Sequence, residues 1–91
     1  MTLKIERTPG RQRTRIRLSG ELRQEDLDQL RVEMARGGRR LALDLEEVGL
    51  IDVQAIRFLN ACEDEGADVV HRSLFIKEWM FQERVKQDNK P

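Results

Sequence analysis

Five residues, Leu41-Ala42-Leu43-Asp44-Leu45, constrain the fold of this chain more than any other stretch. The run is apolar except for Asp44, and it is bounded by Gly37-Gly38 before and Glu46-Glu47 after. Near-continuous apolarity over so few residues is the pattern of a parallel strand covered on both faces. Parallel neighbours need a crossover between them, usually a helix, so strands and helices are expected to alternate around this run.

The flanking patterns supply those elements. Leu3 and Ile5 alternate with Lys4 and Glu6, which predicts a half-buried strand over 2–7. Pro9-Gly10 predicts a turn, because Pro presets one turn dihedral and Gly tolerates positive φ. Ile16 and Leu18, alternating with Arg13, Arg15 and Arg17, predict the second strand of a hairpin, broken by Ser19-Gly20-Glu21. Leu27, Leu30 and Met34 form the apolar stripe of a helix over about 25–36, with acids at its start, Arg36 at its end and Gly37-Gly38 after it. Leu50-Ile51 is expected to stay buried, and Asp52 reads as the N-cap of a helix over about 53–65. Ala55, Ile56, Leu59 and Cys62 are its inward stripe, with Phe58 beside them and Gly66 closing it. Ala67-Asp68-Val69-Val70 predicts a further parallel strand, and Ser73 the start of a last helix over about 74–87. The order β-β-α-β-α-β-α predicts a mixed sheet with an N-terminal hairpin and helices packed on it. A ferredoxin-like sandwich would place one strand, not a hairpin, before its first helix.

Length and charge narrow the function. Ninety-one residues leave room for one domain, assigned to 1–87 with a polar tail at 88–91. No stretch reaches the ~20 apolar residues of a membrane span, and 1–7 has no signal-peptide character. The single cysteine, Cys62, excludes an internal disulfide and suits a reducing cytoplasm. The net charge is zero. However, residues 1–40 hold eleven Lys/Arg against six Asp/Glu, and residues 41–91 hold six against eleven. Arg7, Arg11, Arg13, Arg15 and Arg17 lie close together, and such a patch can hold phosphate backbone. Alternating arginines on a strand are also what a solvated face looks like.

Three landmarks resemble a STAS domain, the module of anti-sigma factor antagonists and of sulfate transporter tails. Leu18-Ser19-Gly20-Glu21-Leu22 is similar to that family's L-x-G-x-L/I before the first helix. Leu41 to Val48 resembles its apolar strand ending in D-L-x-x-V. Leu50-Ile51-Asp52-Val53-Gln54-Ala55-Ile56 aligns with F-I-D-S-S-G-L at the start of its second helix. Beyond these three, Glu65 to Val70 sits where such domains have a Gly-led strand. The resemblance spans roughly 2–82. Gln54 stands where the family carries its phosphorylated hydroxyl, Val53 replaces the preceding Ser, and Ala55 replaces the Gly. Arg23 stands where the family often has an acid. No Ser or Thr occurs between Gly20 and Arg72, so no hydroxyl is present there to take a phosphoryl group.

The resemblance therefore implies a non-enzymatic, cytoplasmic protein-binding module that works by occupancy and not by a serine switch. The implied partner is an anti-sigma or kinase-like regulator. Its contact residues would be Asp52, Val53, Gln54, Ala55 and Arg57, with Glu21 and Arg23 on the neighbouring loop. A second role on the same fold is the small cytoplasmic subunit of a membrane transporter, bound to its ATPase. A third is nucleic-acid binding through the Arg hairpin, with Arg13 and Arg15 as contacts.

No catalytic, cofactor or metal site is expected. His71 has no second His or Cys at ligand spacing, and His71 with Asp68 and Ser73 lacks a nucleophile elbow. Asp44, Glu46 and Glu47 read as a solvated loop rim, and Cys62 as buried and inert. The last helix carries three of the four aromatics. Phe75, Ile76, Trp79 and Met80 read as a face that covers the sheet, and Leu74 and Phe81 fall to the other side. Self-association or docking through Trp79 or Phe81 is the corresponding expectation.

Overall fold

The structure, a computed structural model, describes residues 3–38 and 40–88. Strands β1 (Leu3–Thr8) and β2 (Thr14–Leu22) form the N-terminal hairpin. A single 3₁₀ turn (Gln24–Asp26) leads into α1 (Leu27–Arg36), then β3 (Leu41–Ile51), α2 (Val53–Asp64), β4 (Asp68–Val70) and α3 (Leu74–Asp88). The four strands lie side by side in chain order, antiparallel between β1 and β2 and parallel from β2 through β4. This is the mixed α/β sheet with an N-terminal hairpin that the sequence pattern predicts. Asp88 belongs to α3, and the rest of the expected tail lies outside the described residues.

The strand order decides where the helices go. Both parallel connections step in the same direction across the sheet. Crossovers of this kind are almost always right-handed, so steps in one direction place α1 and α2 on one face. Burial follows that rule: Thr14, Ile16 and Leu18 of β2 are buried beneath the helices, and Arg15 between them is exposed. Ile16 pairs with Leu43, and Leu43 with Val69, so the inward rows of three strands coincide. The core cluster draws on every strand and helix, from Leu3 through Leu30, Leu43 and Leu59 to Ile76 and Met80. Each such Leu or Ile fully removed from water contributes about 1.5–3 kcal/mol of transfer free energy.

Four sequence-based expectations are corrected. β2 is not broken at Ser19-Gly20-Glu21 but runs through to Leu22, absorbing two register shifts against β3. Gly20, beside the second shift, has φ 97°, which a side chain would resist. Leu50 is exposed and only Ile51 of that pair is buried, because strand alternation turns neighbours to opposite faces. β3 is not covered by helices on both sides. Its outward Ala42 and Asp44 are nonetheless buried, Asp44 against Arg15 and His71. On α3 it is Ile76, Met80 and Glu83 that face inward, while Phe75 is exposed.

Candidate partner-binding site

The parallel strands β2 and β3 end together, with Leu22 opposite Ile51. Asp52 then joins the two loops that leave them. Its Oδ1 accepts the Ala55 amide at 3.0 Å, capping α2 as a β-region Asp should. Its Oδ2 accepts the Gln24 amide at 2.9 Å, and its own amide donates to the Leu22 carbonyl at 3.3 Å. One side chain thus fixes the start of α2 and the start of the 3₁₀ turn. The Arg23 amide donates to Asp26 Oδ2 at 3.0 Å, and the Arg23 guanidinium lies 2.7 Å from the Glu21 carboxylate.

Of the expected contact residues, the fold brings Glu21, Arg23, Asp52, Val53 and Gln54 to this one end of the sheet. Gln54 is exposed in the first turn of α2, and Val53 is half-buried. Ala55 does not belong to the surface: it is fully buried, because its position on α2 points into the core beside Ile56 and Leu59. Arg57 lies one turn further along and is committed elsewhere, its Nε donating to Glu83 Oε1 at 2.9 Å.

That last bond belongs to a polar seam between α2 and α3 that the sequence reading did not anticipate. Glu83 is 2% exposed, and its carboxylate meets both Arg57 and Lys86. The Arg57 hydrogen bond, with the Lys86 ammonium beside it, holds the Glu83 carboxyl below the usual range despite burial. Asn60, also buried, donates from Nδ2 to the Met80 carbonyl at 3.0 Å. Arg84 donates to Asp64, Glu63 and the Asn60 carbonyl, and the two carboxylates raise its pKa. The available signal was opposite charge at helical spacing: Arg57, Glu63 and Asp64 on one helix, Glu83 and Arg84 on the other.

The open face of the sheet is an ion lattice. Arg17 lies 3.8 Å from both Glu46 and Glu47, and Arg15 is 4.0 Å from Asp44. Arg13 donates to Asp68 at 2.6 Å, and Arg7, at the sheet edge, to Glu33 at 3.3 Å. Four arginines of the hairpin therefore face carboxylates of their own chain. Asp44, Glu46 and Glu47 are not in a loop but within β3, and Asp44 is not solvated: it is 2% exposed, accepts the Glu46 amide at 3.0 Å and lies 3.2 Å from His71 Nδ1. Burial pushes its carboxyl up, but the Glu46 amide, His71 and Arg15 outweigh this and hold it below the usual range. His71 reaches Asp44 from a left-handed backbone, φ 56°, just past β4.

Among the described residues, ligand atoms of Asp44, Glu46 and His71 come within 4.8 Å of one another. The Asp44 carboxylate is already bonded within the chain, and the Arg15 and Arg17 guanidiniums stand against the two acids. The arrangement works as an internal cluster of ion pairs around one hydrogen-bonded carboxylate. Cys62 is buried as expected, and burial with Glu65 nearby pushes its thiol up to about 11.

Comparison with family models and with curated protein sequences returns no match. Among the described residues, no helix is long and apolar enough to cross a membrane.

Proposed function

We propose that this chain is a cytoplasmic, non-catalytic binding module of the anti-sigma factor antagonist kind. It would occupy a regulatory protein through Glu21, Arg23, Asp52, Val53 and Gln54, without a phosphorylation cycle. The observation that carries this reading is the exposed Gln54 amide in a helix start rigidly fixed by Asp52. A neutral, hydrogen-bonding side chain there, with no hydroxyl in the turn, supports constant occupancy over a charge switch. The pairing of the hairpin arginines with internal carboxylates weighs against a nucleic-acid role.

The test is affinity capture with wild-type and Gln54→Glu baits, read by mass spectrometry. A carboxylate in the first turn suits the helix dipole, so Gln54→Glu leaves the fold intact while repelling an acidic or carbonyl-rich partner surface. The expected result is an anti-sigma or kinase-like protein retained by the wild type and reduced about tenfold with Gln54→Glu, a loss of about 1.4 kcal/mol. Equal recovery on both baits would reject the assigned face. A membrane ATPase as the captured protein would replace the regulatory role with a transport one.

A further inference from the structure

The outward face of α3 is the most apolar exposed surface among the described residues. Leu74 is 75% exposed, Phe75 66%, Phe81 67% and Val85 40%, with Trp79 half-buried against Phe75 at a ring-centroid distance of 5.5 Å. With 3.6 residues per turn these side chains fall within an arc of about 160°. An open hollow of about 690 Å³ runs along it between Leu74, Phe75, Glu78, Trp79 and Gln82. At ~150–250 Å² for a whole aromatic side chain, the two flanks together expose roughly 450 Å² of apolar area, within the ~300–600 Å² of a typical monomer's largest patch, which is often a functional one.

We infer that this face pairs with the same face of a second copy of the chain, the two α3 helices running antiparallel. The pattern on the helix is what selects a copy. Leu74, Phe81 and Val85 form one flank, Phe75, Trp79 and Lys86 the other, and Glu78 and Gln82 lie between. A two-fold axis at the level of Met80 keeps each flank facing its own equivalent, as an isologous interface requires. Leu74 then meets Val85 of the second copy, and Phe81 meets Phe81. Lys86 lies over Phe75, a cation–π contact, and the Glu78 carboxylate accepts from the Gln82 amide, each pair occurring twice. Antiparallel helices also oppose their dipoles. With the flanking polar residues included, about 600–700 Å² per copy is covered, which reaches the lower end of specific interfaces at ~1,200 Å² in total. The expected dissociation constant is therefore micromolar. None of these residues belongs to the proposed partner site, so either assignment can fail without the other.

Light scattering coupled to gel filtration, at about 100 μM and so well above a micromolar constant, is expected to give twice the monomer mass. Phe81→Glu and Leu74→Glu are each expected to weaken the dimer about tenfold or more, with unchanged circular dichroism. Leu74 lies in the first turn and is mostly exposed, so Leu74→Glu remains informative if Phe81→Glu fails to fold. Orientation is read by mixing Leu74→Cys with Val85→Cys under mild oxidation, the buried Cys62 staying unreactive. A disulfide is expected in the mixture and in neither variant alone. A monomeric wild type, or variants that remain dimeric, would overturn the inference, and so would a disulfide within Leu74→Cys alone.

Discussion

Asp44 shows how a single carboxylate can close an open sheet face. It sits outward on β3 where no helix covers it, yet Arg15, His71 and the Glu46 amide remove it from water and satisfy it. Glu83 does the same between α2 and α3 under Arg57 and Lys86. Both carboxyls are held below their ordinary pKa, so the folded state binds fewer protons there than the unfolded chain. Their stabilisation is complete above the unfolded value of about 4 and is lost as pH falls through the lower folded values. Asp44→Asn is expected to cost about 1–2 kcal/mol at pH 7 and to flatten the acid limb of the stability curve. Urea titrations between pH 2.5 and 7 check this. A parallel displacement of the whole curve would show that the Asp44 charge contributes nothing.

At the scale of the elements, the joints matter more than the elements they connect. α2 ends in a Schellman arrangement, with the Gly66 amide on the Glu63 carbonyl and the Ala67 amide on the Cys62 carbonyl, both at 3.0 Å. Gly66 adopts φ 105° to make it. α3 begins on Ser73, whose Oγ accepts the Ile76 amide at 3.2 Å. Asp52 has the larger task, since it caps α2 and ties in the 3₁₀ turn 28 residues away in sequence. Asp52→Ala removes both bonds and is expected to cost about 2 kcal/mol, roughly one ordinary cap plus one further hydrogen bond to a charged acceptor. Asp52→Asn keeps the Oδ1 acceptor for Ala55 and is expected to lose less than half as much. Denaturant midpoints for the two variants decide it, and equal losses would mean that the negative charge, not the geometry, is what counts.

For the whole molecule, the consequence of strand order is an asymmetric body. Helices cover one face, and charged side chains bonded to one another cover the other. The core cluster still reaches every element, including α3 through Ile76 and Met80. Unfolding is therefore expected to be a single cooperative transition. Measured well below the micromolar dimer constant, where Trp79 reports on the docking of α3 and far-ultraviolet circular dichroism on all the helices and strands, their urea midpoints should coincide. Trp79 fluorescence changing first would identify α3 as a separately melting unit held mainly by its seam to α2.

The sequence alone determined the features whose partners are near in the chain. The hairpin follows from Pro9-Gly10 between two alternating segments, the helix starts from Asp52 and Ser73, and the end of α2 from Gly66. The parallel strand around Leu43 was legible because its apolar run is too short for a helix and follows Gly37-Gly38. Of the expected contact residues, Glu21, Arg23, Asp52, Val53 and Gln54 come together, since the two strand ends that carry them are neighbours. The tertiary structure decided what depends on distant partners. Ala55 was lost to the core by its rotation on α2, and Arg57 was drawn to Glu83, 26 residues away. Asp44 changed from an expected rim residue to a buried one because Arg15 and His71 arrive from β2 and from beyond β4. Helical periodicity could place Phe75 and Ile76 on adjoining faces, but which of them is buried depended on how α3 settled against α2. A charged or apolar side chain carries its chemistry in the sequence, whereas its burial is set by the neighbours that folding supplies.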